Sequence, residues 1–430
     1  MLATLRHRNF ALLWLGGLIS FVGDWALFIA LPVFVYDLTG STLATGGMFM
    51  AQSLPRLLLG SIAGVFVDRW DRRRTMIVAN LLSAVTLLLL LLVHTPADLW
   101  LLYLAAFLQT TVALFFSPAE SALVPHLVGE DQLLHANALT ALNWELTRLI
   151  APPLGGLAMV WLGFGSVIVL DAVSFLLSAS LIAMIALPRE AAQPLAHEPL
   201  AAGSSAWLRL YRDLAAGVRL VLRDHLIRSI FLITATAMVA EGLLNVLAFP
   251  WLKLVLQGGA LERGWLASAQ AIGGLIGGLL IGRAARLVRP AQLVGVSGIM
   301  LGLLMLAYVN VNTLPIDQSL FLPAALLIKL LQGVPIMGLF VSIDTLLQQN
   351  VADRYRGRIF GAYGATAGLA ILIGQALASM FGDRIGIIPV LDIMGLAYLL
   401  AGLLALLLLR GHAASRASAG EQIGAIVDIL

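Results

Sequence analysis

Seven carboxyl side chains, Asp24, Glu120, Glu145, Asp171, Glu241, Asp344 and Asp392, fall within long apolar stretches of a 430-residue chain. Three bases, Arg56, Arg148 and Lys329, share those stretches. An ionised side chain at the centre of a bilayer costs about 2.5–3.5 kcal/mol on insertion scales. Charges retained at that cost pair with one another or bind something that crosses. The carboxyls outnumber the bases, and a carboxyl without a counter-charge in a low dielectric holds a proton. Proton coupling is the chemistry this suggests. One pH unit supplies about 1.4 kcal/mol and each 100 mV adds about 2.3 kcal/mol per charge, enough to concentrate a substrate without ATP.

Other chemistries are excluded by what the chain lacks. It has no cysteine, which removes disulfides, thiolate metal sites, iron–sulfur clusters and c-type haem. His7, His94, His126, His135, His197, His225 and His412 show no close pairing, so no metal site is expected. The lysines are Lys253 and Lys329, and neither follows a glycine or precedes a hydroxyl residue, so there is no Walker A loop. Apolar residues make up 60% of the chain and charged residues 11%, against about 25% charged in soluble domains. Such a chain is an integral membrane protein, not a soluble enzyme or nucleic-acid binder, and no cofactor is implied.

The elements that carry these charges are apolar runs bounded by Gly, Pro and charge clusters. They predict an all-α membrane protein with twelve transmembrane helices near 10–36, 43–66, 75–95, 99–123, 138–162, 164–187, 228–254, 263–283, 291–311, 320–347, 357–381 and 386–410. The first run is too long for a cleaved signal peptide and has no cleavage site. Loops are short except for 188–227, where a flexible Pro/Gly/Ser stretch runs into Trp207–Arg212 with Arg219, Arg223 and Arg228 beyond. Its alternating apolar and basic residues suggest an amphipathic surface helix. Twenty basic residues fall on the side of the N-terminus and three, Lys253, Arg263 and Arg384, on the other. That bias places both termini and the central loop in the cytoplasm, as expected for a multi-pass protein of the cytoplasmic (inner) membrane. Trp100, Trp161, Trp251, Trp265 and Tyr308 are expected as outer interface anchors.

The chain also repeats itself. Val169-Leu170-Asp171 and Val390-Leu391-Asp392 stand 221 residues apart, Glu120 and Asp344 224, Asp24 and Glu241 217, and Gly64 with Arg69 stand 214 from Gly278 with Arg283. Two parallel six-helix bundles follow, 1–187 and 228–410, joined by the cytoplasmic linker 188–227 and followed by a cytoplasmic tail 411–430. A binding site is expected between repeats near the midplane.

Three motifs carry a resemblance. Gly60, Gly64, Asp68, Arg69, Asp71, Arg72 and Arg73 in GSIAGVFVDRWDRRR resemble the signature loop of the major facilitator superfamily, with Asp71 in place of the usual glycine. Ala151-Pro152-Pro153-Leu154-Gly155-Gly156 resembles the Gly-Pro-x-x-Gly-Gly signature of its antiporters, with Ala151 for the first glycine. Phe116-Ser117-Pro118-Ala119-Glu120, then Val124-Pro125 and Ala136-Asn137-Ala138, is similar to the macrolide-efflux and enterobactin-exporter branch. The resemblance implies alternating access between two bundles and a cavity lined by spans one and seven.

On that basis Asp24 is expected as the main proton site, with Arg56 as the alternative structural partner. Glu241 and Asn245 offer a second proton or substrate contact. Lys329 either neutralises an acid or meets an anionic substrate, and Trp25 with Trp144 suits an aromatic or cationic compound. A latch is expected from Gly64, Asp68, Arg69, Arg72, Glu120 and Asp344, in which Asp68 caps the start of span eleven near Gly357-Arg358 and Arg72 pairs with Glu120. Gly60, Gly64, Gly274, Gly278 and Gly282 are expected to let helices approach closely. Pro152, Pro153, Gly155 and Gly156 should kink span five against a neighbour. Glu145 and Arg148 should pair along one helix face, and Asp171 and Asp392 are expected as half-hydrated structural positions. The function expected is a monomeric, proton-coupled exporter of amphipathic organic compounds such as a drug or siderophore-like metabolite, with the small-molecule substrate, protons and the lipid bilayer as its partners. The alternatives are an importer of the same fold and a transport-inactive sensor or assembly partner.

Overall fold

In the lipid core a backbone must satisfy its own hydrogen bonds, and an uninterrupted apolar run therefore closes into a helix. The computed structural model describes residues 2–67, 69–186, 221, 224–284, 288–351 and 353–409, and every regular element among them is helical. Twelve long helices follow one another among these residues: α1 (Arg8–Thr39), α2 (Thr42–Val67), α3 (Arg72–Leu88), α4 (Leu99–Val128), α5 (Leu133–Leu162), α6 (Phe164–Ala183), α7 (His225–Trp251), α8 (Ala260–Ala284), α9 (Pro290–Val309), α10 (Phe321–Asn350), α11 (Asp353–Ile385) and α12 (Ile387–Leu408). Each falls on one of the twelve expected spans. Ten of the helices are long and apolar enough to cross a membrane. The linker expected over 188–227 lies almost wholly outside the described residues, as does the tail 411–430.

Local signals set the ends. Gly40 takes a left-handed φ of 63° and closes α1 through its N–H to the Tyr36 carbonyl at 2.7 Å, the stop that a residue without Cβ makes cheaply. Asp71 caps α3, its carboxylate accepting from the Arg74 N–H at 2.7 Å. The aspartate that departs from the family loop pattern thus starts a helix.

The described residues divide into two compact units. The first holds α1–α6 with the end of α7, the start of α8 and the last turns of α11. In it α1 packs on α5 and α6, α2 on α4, and α3 on α4 and α6. Phe10, Leu13, Met76, Leu123, Leu139 and Ile182 form a buried apolar cluster. The second holds the rest of α7, α8 and α11, with α9, α10 and α12, and its tightest seam is α9 against α12. There a methyl group at Gly298 would overlap Gly402. With little hydrophobic drive between helices in lipid, such close backbone contact supplies the dispersion that holds them. On α8, Gly273 and Gly277 press against Leu330, Gly333 and Val334 of α10. The expected contacts at Gly278 and Gly282 are not made, nor one at Gly60, since a Cβ at any of the three meets open space. One helical residue turns the face by about 100°, and the packed face of α8 carries the neighbouring pair. Trp251 and Tyr308 are fully buried, unlike the exposed Trp100, Trp161 and Trp265, so only the latter three fit an interfacial role.

Candidate functional site

Asp24, half-buried in the middle of α1, faces a cavity of about 490 Å³ within the first unit. Residues of α1, α3, α4, α5 and α6 bound it, and Glu120 of α4 brings a second carboxyl to the same wall. No basic side chain is among the described lining residues. Ser20, Asn80 and Asn137 supply hydroxyl and amide groups, and Phe116 and Trp144 supply ring faces. The chamber therefore offers negative charge, hydrogen bonds and aromatic surface together.

The walls are fixed by ties between helices. Trp14 donates its indole N–H to the Leu139 carbonyl at 2.9 Å, and Asn143 donates back to the Trp14 carbonyl at 3.0 Å. Asn80 donates to the Ser178 hydroxyl at 2.8 Å and joins α3 to α6. Trp25 stands behind the wall, edge-on to Trp144 with centroids 5.8 Å apart and to Phe28 at 5.3 Å. Arg56 acts on Asp24 electrostatically, but the two form no ion pair within 4 Å. Among the described residues Glu120 has no ion-pair or hydrogen-bond partner.

Asp171 departs from expectation. It is 0% exposed rather than half-hydrated, because it stands on the face of α6 packed against α1. Its repeat mate Asp392 is half-buried and accepts from the Asn310 amide at 2.6 Å. Glu241 accepts from the hydroxyl of Tyr398, itself buried, at 3.2 Å, and Asn245 follows one turn along α7, half-buried. Lys329 is 6% exposed; its ammonium lies 4.5 Å from the Tyr308 ring centroid and 3.3 Å from the Gln270 carbonyl oxygen. The π face of Tyr308 and the amide dipole of Gln270 both stabilise this cation.

The loop between α2 and α3 also folds differently. Arg72, only 5% exposed, donates to the Ala122 carbonyl at 3.2 Å and contacts His126 at 2.6 Å, and it does not pair with Glu120. Arg73 donates to the Ile182 carbonyl at 3.1 Å and to that of Ala183. These guanidiniums satisfy carbonyls in the last turns of α4 and α6, where cations complement the helix dipole, and Glu120 is left on the cavity wall. Arg69 and Asp344 are exposed; Gly64 lies within α2; Asp68 is outside the described residues. Glu145 and Arg148, both half-buried, form no ion pair. Three residues along a helix leave side chains offset by about 60° around the axis.

Pro152, Pro153, Gly155 and Gly156 do converge. A methyl group at Gly155 would overlap Ala26 of α1, one at Gly156 would overlap Ala260 and Leu261 at the start of α8, and Gly264 of α8 presses on Pro152 and Pro153. Two contacts at the α1–α2 corner were not foreseen. Asp383 accepts from the Thr42 N–H at 3.1 and 3.2 Å and from the Ser41 hydroxyl at 3.2 Å, and Lys253 pairs with Asp37. The Gly40-Ser41-Thr42 stop and start is the one local signal for them, since the cap is supplied from residue 383 and not from the chain nearby.

Twelve apolar helices with repeat-related carboxyls and a polar chamber among them define a multi-pass transporter of the major facilitator superfamily. The family model for transmembrane secretion effectors matches residues 1–422, and the chain belongs to that family. It is 24% identical to macrolide efflux protein A of Streptococcus pyogenes over 387 residues, 88% of this chain and 90% of that protein. It is 29% identical to the enterobactin exporter EntS of Escherichia coli O1:K1 / APEC over 423 residues, 94% and 92% of the two chains. Among solved structures, a bacterial homologue of the iron transporter ferroportin shares the fold with a TM-score of 0.75 at 18% identity, covering 93% of this chain and 98% of that one. The nucleoside transporter NupG gives 0.69 at 13% identity, covering 94% and 99%. The protein is a transporter and not an enzyme.

Proposed function

We propose that this transporter exports amphipathic organic compounds in exchange for protons, as a monomer in the cytoplasmic membrane with both termini inside. The carrying observation is the chamber in which Asp24 and Glu120 stand beside aromatic rings with no base among the described lining residues. A protonated chamber releases a cationic amphipathic compound and a deprotonated one recruits it, so that occupancy by proton and by substrate exclude each other. Export rather than import is supported by relatives named for macrolide efflux and enterobactin export. Alternating access, with two six-helix repeats 1–187 and 228–410 joined by 188–227, would open that site to each side of the membrane in turn. The Pro152–Gly156 contact would seal it, with Gly64, Asp68, Arg69 and Asp344 serving the cytoplasmic latch.

The test is efflux from proteoliposomes under an imposed pH gradient, with a macrolide and with enterobactin as separate probes. Gradient-driven loss of either compound from the lumen that mimics the cytoplasm is expected, and Asp24→Asn is expected to reduce it to the passive leak. Accumulation instead of loss would make the chain an importer. Gradient-driven efflux undiminished in Asp24→Asn would remove Asp24 from coupling.

A further inference from the structure

We propose that Glu120 is the seat for the cationic head of the transported compound, a protonated amine whose N–H groups it meets in a notch opened by Gly17 and backed by Asn143. The inference names a substrate-binding residue for the exporter read above and rests on that reading for its use. The seat itself is a matter of how side chains stand on the chamber wall.

Gly17 of α1 is buried. The position that a Cβ would take there lies 3.4 Å from the Asn143 amide nitrogen and 3.9 Å from Glu120 Oε1. The missing methyl leaves a small space where α1, α4 and α5 meet, with polar atoms of two of these helices on its rim. Glu120 has no ion-pair or hydrogen-bond partner among the described residues. Asn143 is 3% exposed and donates to the Trp14 carbonyl at 3.0 Å, while its Oδ1 is buried without a hydrogen-bond partner among the described residues. A buried acceptor left without a donor is costly, and here one belongs to a side chain beside an unpartnered carboxyl. Both groups accept, so what completes the site carries donors. Arg72 does not supply them, its guanidinium being tied to the Ala122 carbonyl and His126.

The chamber carries two carboxyls, Glu120 and Asp24, and they are not equivalent. Asp24 follows Gly17 by two turns, about 10 Å of rise along α1, and the charge of Arg56 on α2 acts on it. Glu120 has no base within ion-pair distance among the described residues. Asp171, 0% exposed, is not among the lining residues. The carboxyl of the chamber that stands without a counter-charge is therefore Glu120. Around it the wall is aromatic. Phe116 precedes it by one turn on the same face of α4, and Phe21 and Trp144, edge-on with centroids 5.7 Å apart, line the same cavity. Ring faces beside a carboxylate favour an organic cation. A bare divalent ion takes about six oxygens, and no group of three His, Cys, Asp or Glu side chains placed to hold a metal occurs among the described residues. A volume of about 490 Å³ suits an amine with an aryl or alkyl body.

The test is equilibrium binding to the purified full-length protein in lipid nanodiscs at pH 8, without a gradient. Three probes share one dansyl-pentyl skeleton and end in an amine, an alcohol or a carboxylate. Energy transfer from protein tryptophan reports binding, and discs without the transporter correct for partition into lipid. Wild type should bind the amine about tenfold more tightly than the alcohol, and the carboxylate least. Glu120→Gln should erase that preference, weakening the amine about tenfold and the alcohol little. Gly17→Ala, whose methyl fits at ordinary contact distances and fills the notch, should weaken the amine more than the alcohol. Asp24→Asn should lower the ratio far less than Glu120→Gln. The alcohol is the internal reference, so a general loosening of the chamber leaves the ratio unmoved. Amine and alcohol bound alike by wild type, or a preference that survives Glu120→Gln, would overturn the seat, and a larger loss of preference in Asp24→Asn would move it to Asp24. If Glu120→Gln does not fold, Gly17→Ala decides, and an unchanged ratio there counts against the notch. A Glu120-dependent preference in a protein without pH-driven efflux would remove the exporter reading and leave the seat. Efflux driven by pH in a protein that binds amine and alcohol alike would do the reverse.

Discussion

The two repeats carry carboxyls at matching positions and treat them in opposite ways. In the first, Asp24 and Glu120 face a cavity with no base among its described lining residues, and one oxygen of Asp171 is buried without a hydrogen-bond partner among the described residues. In the second, Glu241 is held by the Tyr398 hydroxyl and Asp392 by the Asn310 amide, and the cation Lys329 rests on Tyr308 and Gln270. The helix seams differ in the same sense. The α3–α6 contact of the first repeat is tied by Asn80 and Ser178, whereas the equivalent α9–α12 contact is a close glycine seam. A duplicated fold thus leaves carboxyls unpartnered in one half and holds their counterparts by hydrogen bonds in the other, the asymmetry that the proposed coupling would use. A sensor or assembly partner without transport would be expected to neutralise its acids in both halves.

The sharpest way to break this asymmetry is to neutralise the matched acids in turn. Asp24→Asn should abolish pH-driven efflux. Glu241→Gln should cost no more than about fivefold in rate, the equivalent of one hydrogen bond worth about 1 kcal/mol. Initial rates in proteoliposomes under a fixed gradient decide between them, and equal losses would erase the distinction between the repeats. Of intermediate size is the packing effect. Gly402→Leu must push α9 and α12 apart and should cost about 1–3 kcal/mol, measured as a fall in the thermal unfolding midpoint of the detergent-solubilised protein. Transport per folded molecule should change far less than with Asp24→Asn.

Helix number and the approximate place of each helix were legible in the sequence, because lipid leaves one way to satisfy a backbone and hydropathy records it. The carboxyls at the heart of the site were legible for a related reason: a charge in an apolar run is conspicuous. Their partners were not. Arg72 turned to the Ala122 carbonyl and His126, because an arginine reaches any acceptor within several ångströms and spacing along the chain does not say which. Glu145 and Arg148 share a helix but not an ion pair. On α8 the expected Gly274 does lie against Gly333 of α10, but Gly278 and Gly282 face open space while Gly273 and Gly277 are packed, a difference of rotation that composition does not encode. Asp171 was misjudged because its distance from the span end was read as exposure, and burial depends on the face turned to α1. Tyr398 and Asp383 act across more than a hundred residues of sequence, beyond any local signal.

The smallest expected effect bears directly on why the second repeat is quiet. Tyr398 is 2% exposed and donates to Glu241 at 3.2 Å; the contact joins α7 to α12. Hydrogen bonds between membrane helices average about 0.6 kcal/mol, so Tyr398→Phe should lower stability by roughly that amount and shift the unfolding midpoint only slightly. A double-variant cycle isolates the contact. In Tyr398→Phe the hydrogen bond to Glu241 is already gone, so adding Glu241→Gln should lower the unfolding midpoint by less than Glu241→Gln does in the wild-type protein. Strictly additive losses would mean that the two side chains are not coupled, and that the two halves differ for a reason other than these hydrogen bonds.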